Sequence, residues 1–295
     1  MAYKVLNNVS VKDVTSSDLL SLKTDLLVIV INKNTKDKVV NQLAKDVSSH
    51  LKESGSSVLV PNAKSFNAKN VLLVKGFQDS DQIHKLISMY QSIAQKGNQL
   101  KAKDISIMPG TVYPKGKCEM WLIEMVAKTI ESNVYIFSET CNKTAKKPSV
   151  KKLNILVSSL TKSDLIKAKN AAKKGYAIGE GVNSAKYLGD LPANHCTPRI
   201  IEKKVKAMTK DFPKLKVKSF NENQMKKMGM GSFLSVSRGS EEPARMMVIE
   251  YKGGKSSEKP VALVGKGVTF DTGGVSIKPS PAMDEMKWDM CGAAT

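Results

Sequence analysis

The sequence is poor in the residues that build many familiar sites. Its only histidines are His50, His84 and His195, far apart and outside any HExxH pattern, so a histidine-built zinc site has no basis here. Cys118, Cys141, Cys196 and Cys291 are scattered with no CxxC pair, which argues against a disulfide framework and for free thiols in a reducing compartment. Only three arginines occur, Arg199, Arg238 and Arg245. The net charge of +20 is therefore a lysine surplus. Base readout and bidentate phosphate contacts favour arginine, so this surplus reads first as a solvated surface. The longest strongly apolar run, Leu26–Ile31, is too short to span a bilayer. The opening MAYKVLNNVSVKDV lacks the apolar core of a secretory signal. A cytoplasmic protein with no membrane partner is expected.

What is present fits two domains. A chain of 295 residues, 41% hydrophobic and 25% charged, has the size and composition for two globular cores. Strand-like runs fall at Leu26–Ile31, Ser57–Val60, Val71–Val74, Ile105–Met108, Val134–Phe137 and Leu153–Val157. Helical patterns cover Val39–Leu51, Asp81–Gly97 and Cys118–Glu131. This alternation predicts an α/β domain over residues 1–160. A long helix follows, capped by Ser163 and running to about Tyr187, with Gly175, Gly179 and Gly181 allowing close packing. It is the expected connector, residues 161–190. From 191 the chain restarts. Thr197 caps a helix with Pro198 at its first position. Lys216–Phe220, Met246–Tyr251 and Val261–Val264 read as strands and Glu222–Met228 as a helix, so residues 191–295 form a second α/β domain with a central mixed sheet.

Two nucleotide-binding patterns fail. Gly254-Lys255-Ser256 lacks the first glycine of a phosphate loop, whose place is taken by Ile249. Gly265-Lys266-Gly267 is followed by Phe270 where a dinucleotide fingerprint needs glycine. The stretch around them is more telling: VGKGVTFDTGGVSIKPSPAMDEMKWDMCGAAT, residues 264–295. Taken singly, Asp271 is a turn former, Asp289 a helix cap, and Lys266 and Lys278 surface lysines. Together they place two carboxylates and two lysines on loops beside one apolar run. Carboxylates bind hard or borderline divalent cations. A lysine joins them only as a neutral amine, a form that nearby dications favour. A second, uncoordinated lysine stays cationic and can stabilise an oxyanion.

Residues 264–295 resemble the metal-binding signature of the leucyl (cytosol) aminopeptidase family. Upstream pieces agree: Asp190-Leu191-Pro192-Ala193-Asn194 with Thr197-Pro198, Met230-Gly231-Ser232-Phe233-Leu234, Gly239-Ser240-Glu241-Glu242-Pro243, and Ile249-Glu250-Tyr251-Lys252-Gly253. The resemblance is strong over about residues 180–295, while residues 1–160 share only size and α/β character. It implies hydrolysis of N-terminal, leucine-like residues from peptides by a homohexamer. Two divalent ions, zinc or manganese, would act with bicarbonate as general base. By the same resemblance Lys266 ligates one metal and Asp271 bridges both. Asp289 shares the metal of Lys266 and helps hold the substrate amine. Lys278 is the uncoordinated electrophile, and Met286 lines the pocket for the first side chain.

The chain departs from the family pattern in three places. Trp288 stands where a small residue is usual, and Cys291 where glycine is usual; either can crowd the site, and Cys291 adds a soft, oxidisable neighbour. The Asn-Thr-Asp-Ala-Glu-Gly-Arg segment, with two further carboxylates and the arginine that holds the base, is absent. The expectation is a chain ending inside its catalytic domain and inactive alone. Two other functions compete: a DNA-binding regulator using the basic surface, as some family members bind DNA, and a dinuclear carboxylate phosphoesterase. The resemblance favours the peptidase.

Overall fold

The computed structural model describes residues 3–32, 38–47, 50–77, 83–111, 113–142, 147–255 and 257–295. The chain forms two compact units, residues 4–183 and residues 184–295, the latter joined by Tyr3.

The first unit is α/β and built on a mixed six-stranded sheet, ordered β1-β6-β5-β2-β4-β3. Its strands are β1 (Asn8–Asp13), β2 (Leu26–Ile31), β3 (Ser57–Pro61), β4 (Asn70–Lys75), β5 (Asp104–Met108) and β6 (Lys152–Val157). All neighbours run parallel except β3 against β4. The run LLVIVI of β2 lacks alternation because this strand lies between β4 and β5 and is buried on both faces. Leu27 and Ile29 join Val71, Leu73, Val14, Leu19 and Val40 in one cluster, which brings in α1 (Ser16–Ser21) and α2 (Lys38–Asp46). Helices α3 (Ile83–Gln99) and α4 (Glu119–Val134) pack on one another. α4 is buried on most of its sides, with Leu122, Ile123, Val126 and Ile130 fully enclosed and Thr129 and Glu131 buried among them.

One of the elements covering α4 is α5 (Lys162–Asp190). A Cβ on Gly175 would stand 2.0 Å from the Glu124 carbonyl oxygen, and one on Gly179 2.7 Å from the Glu131 Cβ. The two helices meet backbone to backbone. Gly181, expected to share that role, faces open space. α4 also encloses the carboxylate of Glu131. It accepts hydrogen bonds from the Val5 and Leu6 N–H groups and from Asn183 Nδ2, each at 3.0 Å. Burial pushes its pKa up, against the pull of those donors.

Several expectations need correction. Val134–Phe137 is not a strand: Val134 ends α4, and Asn98 Nδ2 donates to its carbonyl oxygen at 2.9 Å. The β-branched and aromatic residues there serve helix packing and the exit from it. α5 is capped by Thr161, not Ser163; Thr161 Oγ1 accepts from the Asp164 N–H at 3.1 Å and donates to its carboxylate at 2.8 Å. β1 and α1 lay outside the expected elements. Within the expected helices, residues 48–49 and 81–82 lie outside the described residues.

The second unit holds α6 (Pro198–Asp211), β7 (Leu215–Phe220), α7 (Glu222–Lys227), α8 (Gly231–Ser237) and β8 (Met246–Tyr251). Its own sheet is the antiparallel pair β7–β8. Thr197 caps α6 through the Ile200 N–H, with Pro198 opening the helix as expected. Val261–Val264 is not a strand. With no partner strand among the described residues, it runs irregularly, and Val261, Leu263 and Val264 are 88–98% exposed. Glu202 of α6 pairs with Lys206 at 2.6 Å and Arg245 at 2.7 Å, which ties α6 to the entry of β8. Those partners hold its pKa down to about 2. The four cysteines are free thiols. Among the described residues no helix is long and apolar enough to cross a membrane.

Two stability tests follow from these contacts. Ala normally favours a helix over Gly by roughly 1 kcal/mol. Gly181→Ala should therefore raise the melting temperature, whereas Gly175→Ala should lower it. A Gly175→Ala protein as stable as wild type would contradict the α4–α5 contact. For Glu202, the folded pKa lies below the ordinary 4.5, so its pairing contributes stability above pH 4.5 that is lost as pH falls toward about 2. Urea midpoints of wild type and Glu202→Gln should differ at neutral pH and converge across that acid window.

Candidate metal centre

The region that carries the charged constellation is shaped by two close backbone approaches. Gly265 lies against the short helix α9 (Cys291–Ala294): a Cβ there would stand 2.2 Å from the Gly292 carbonyl oxygen and 2.6 Å from the Ala293 Cα. The Ala293 N–H donates to the Lys266 carbonyl at 2.9 Å, which locks the two segments together. Further on, the chain reverses over residues 272–278. Gly273 has φ +92°, a value that favours glycine, and a Cβ on it would meet the Ser276 carbonyl oxygen at 2.5 Å. The Lys278 N–H returns to the Thr272 carbonyl at 2.9 Å. A 3-10 helix, Met283–Met290, then brings Met286 and Asp289 back.

These turns gather all five residues singled out in the sequence. Lys266 Nζ donates to Asp289 Oδ2 at 2.6 Å and lies 3.8 Å from Asp271 Oδ2. Lys278 Nζ lies 3.1 Å from the same Asp271 oxygen and donates to Met286 Sδ at 3.2 Å. Asp271 Oδ1 accepts from the Gly273 N–H at 3.1 Å. Two carboxylates and two ammonium groups thus form one chain of contacts: Asp289, Lys266, Asp271, Lys278. The Gly273 N–H, then Lys278 and Asp289, hold the Asp271 carboxyl below its usual range. The hydrogen bond to Asp289 raises Lys266, which stands here as an ammonium.

The donor set suits a divalent cation of hard or borderline character: two carboxylates with an amine between them, close enough to address one ion. Among the described residues no group of three or more His, Cys, Asp and Glu side chains could hold a metal. A lysine amine could add a third donor to these two carboxylates only by giving up its proton.

The two unusual neighbours fall in definite places. Trp288 is 48% exposed, with the Lys287 ammonium 5.7 Å from its ring. Lys287 Nζ also donates to the Asp190 carbonyl at 3.2 Å, a tie between the 3-10 helix and the end of α5 that sequence reading missed. The Cys291 sulfur packs where a Cβ on Gly189 would stand, 2.9 Å away, and burial raises its thiol pKa.

Comparisons with known proteins bear on this region. Residues 183–295 match the model of the cytosol aminopeptidase family, catalytic domain. A probable cytosol aminopeptidase of Azotobacter vinelandii is 35% identical over 296 residues, a match covering 96% of this chain and 59% of that protein. The cytosol aminopeptidase of Pseudomonas aeruginosa is 34% identical, covering 93% and 57%. Among solved structures, a mutant tomato leucine aminopeptidase shares the fold with a TM-score of 0.76 at 23% identity, over 100% of this chain and 58% of that one. The bottromycin maturation enzyme BotP in complex with Mn gives 0.70 at 22% identity, over 92% and 54%. The chain thus spans less than three-fifths of the length of these curated relatives.

Proposed function

The chain belongs to the cytosol aminopeptidase family, and from that premise we propose that the whole protein removes N-terminal residues, leucine-like ones preferred, from peptides in the cytoplasm. The observation that carries this reading is the gathering of Lys266, Asp271, Lys278 and Asp289 into one contact chain within the matched region. Lys266 and Asp289 would hold one divalent ion and Asp271 would serve two, zinc or manganese. Bound dications polarise a carbonyl and activate water at neutral pH.

The residues divide the remaining work by charge. Lys266 would hold a metal only as a neutral amine, which its present ion pair with Asp289 opposes. Lys278 keeps its proton and offers it to the oxyanion that develops as the peptide carbonyl is attacked. Asp289 also receives the free substrate amine, which confines cleavage to the first residue. Met286 borders the space for that residue's side chain. In this reading bicarbonate would supply the general base and the protein would assemble as a hexamer.

The roles of the two lysines separate experimentally. Lys266→Ala should lower bound metal, measured by elemental analysis after dialysis. Lys278→Ala should keep its metal and lose kcat for leucyl anilides by about 10² to 10³, roughly 3–4 kcal/mol. Equal metal loss in both variants would sink this division. Turnover of a phosphoester in place of the anilide, in the same metal-loaded preparation, would sink the peptidase reading itself.

A further inference from the structure

Lys278 has a neighbour that a charge-based account of the site does not use. Its Nζ donates to the thioether sulfur of Met286 at 3.2 Å while lying 3.1 Å from Asp271 Oδ2. The side chain is 37% exposed. A lysine ammonium is a compact charge on a flexible four-carbon stem, with three donors. Two of these donors face Met286 and Asp271.

The two partners differ in kind. Asp271 is an anion whose Oδ2 also faces Lys266 at 3.8 Å. A carboxylate that held metal ions would share its charge with them, and its hold on Lys278 would be weaker. The thioether is a weak, uncharged and polarizable acceptor. It restrains the ammonium without neutralising it, so the cation's attraction for an oxyanion stays intact. It also sits on the 3-10 helix that carries Asp289, which Lys287 anchors to the Asp190 carbonyl. The sulfur is thus carried on the same 3-10 helix as a proposed metal ligand.

We propose that Met286 is a positioning residue, whose sulfur holds the Lys278 ammonium where the oxyanion develops. This rests on the role given to Lys278 above. Lining the substrate side-chain pocket is a different job, and the two make different predictions. A pocket wall acts according to the size of the substrate's first side chain, mostly through KM. A positioning contact acts on kcat equally for every first residue, and only while Lys278 is present.

Met286→Leu keeps the apolar bulk and removes the acceptor; Met286→Gln restores an acceptor at similar length. With the whole protein in its metal-loaded form, Met286→Leu should lower kcat about fivefold, the effect of losing one modest hydrogen bond. The kcat factor should be the same for leucyl and alanyl anilides, with metal content unchanged, while any effect of the altered pocket wall falls on KM. Met286→Gln should recover part of the loss. In a Lys278→Ala background, Met286→Leu should have no further effect on kcat. In metal-free protein labelled at the methionine methyls, Lys278→Ala should shift the Met286 methyl resonance. A rate loss that depends on the first side chain, a loss that persists in the Lys278→Ala background, or an unmoved methyl signal would each overturn the proposal. If Lys278→Ala alone leaves kcat unchanged, the role of Lys278 fails instead, and the methyl shift still reports whether the contact exists.

Discussion

Backbone-to-backbone contact, at separations no Cβ would allow, is the constraint on which both units depend. In the first unit Gly175 lets α5 lie on the Glu124 carbonyl of α4. In the second, Gly265 lets the segment bearing Lys266 lie on Gly292 and Ala293. Gly175 is buried, where packing at crystal-like density leaves an added methyl nowhere to go; at the exposed Gly265 the Gly292 carbonyl oxygen itself bars a Cβ. The charged groups of the site follow from this. Lys266 reaches Asp289 because its own carbonyl is already pinned to the Ala293 N–H. Without the glycine contact, the two would be separate surface charges of little energetic weight.

Much of the fold could be read from local pattern because buried strands announce themselves. LLVIVI, VLLV and ILV can hardly be anything but interior, and β2, β4 and β6 lie where those runs fall. β1 was illegible for the opposite reason. NVSVKD has two apolar residues and a polar, charged remainder, as suits an edge strand. Its place is fixed by pairing with β6, about which the local sequence says nothing. α1 is short, yet its capping box, Thr15 with Asp18, was a signal available to be read. Val134–Phe137 misled because β-branched and aromatic residues serve a buried helix end as well as a strand.

The site was legible as a set of residues but not as an arrangement. Lys266, Asp271, Lys278, Met286 and Asp289 were all named from the motif and its family likeness. That Asp271 is shared by two lysines, or that a thioether faces Lys278, has no trace in spacing. Both depend on the Gly273 reversal and on the 3-10 helix, whose φ +58° start at Ala282 no local preference foretells. Glu131 was missed altogether. A single acidic residue inside an apolar helix looks like noise until its three donors are in view.

The pairing of β1 with β6 has a consequence in time rather than in space. Asn8 stands opposite Lys152, and the Glu131 carboxylate that grips Val5 and Leu6 lies 125–126 residues further along the chain. A ribosome delivers these partners in order, at about 5–20 residues per second. The first strand therefore waits several seconds, unpaired, for the last one to emerge. A hydrophobic strand would be a hazard over that interval, open to any passing edge. The polar make-up of NVSVKD lets it wait in water, so the weakness that hides this strand from a reader also protects it during synthesis.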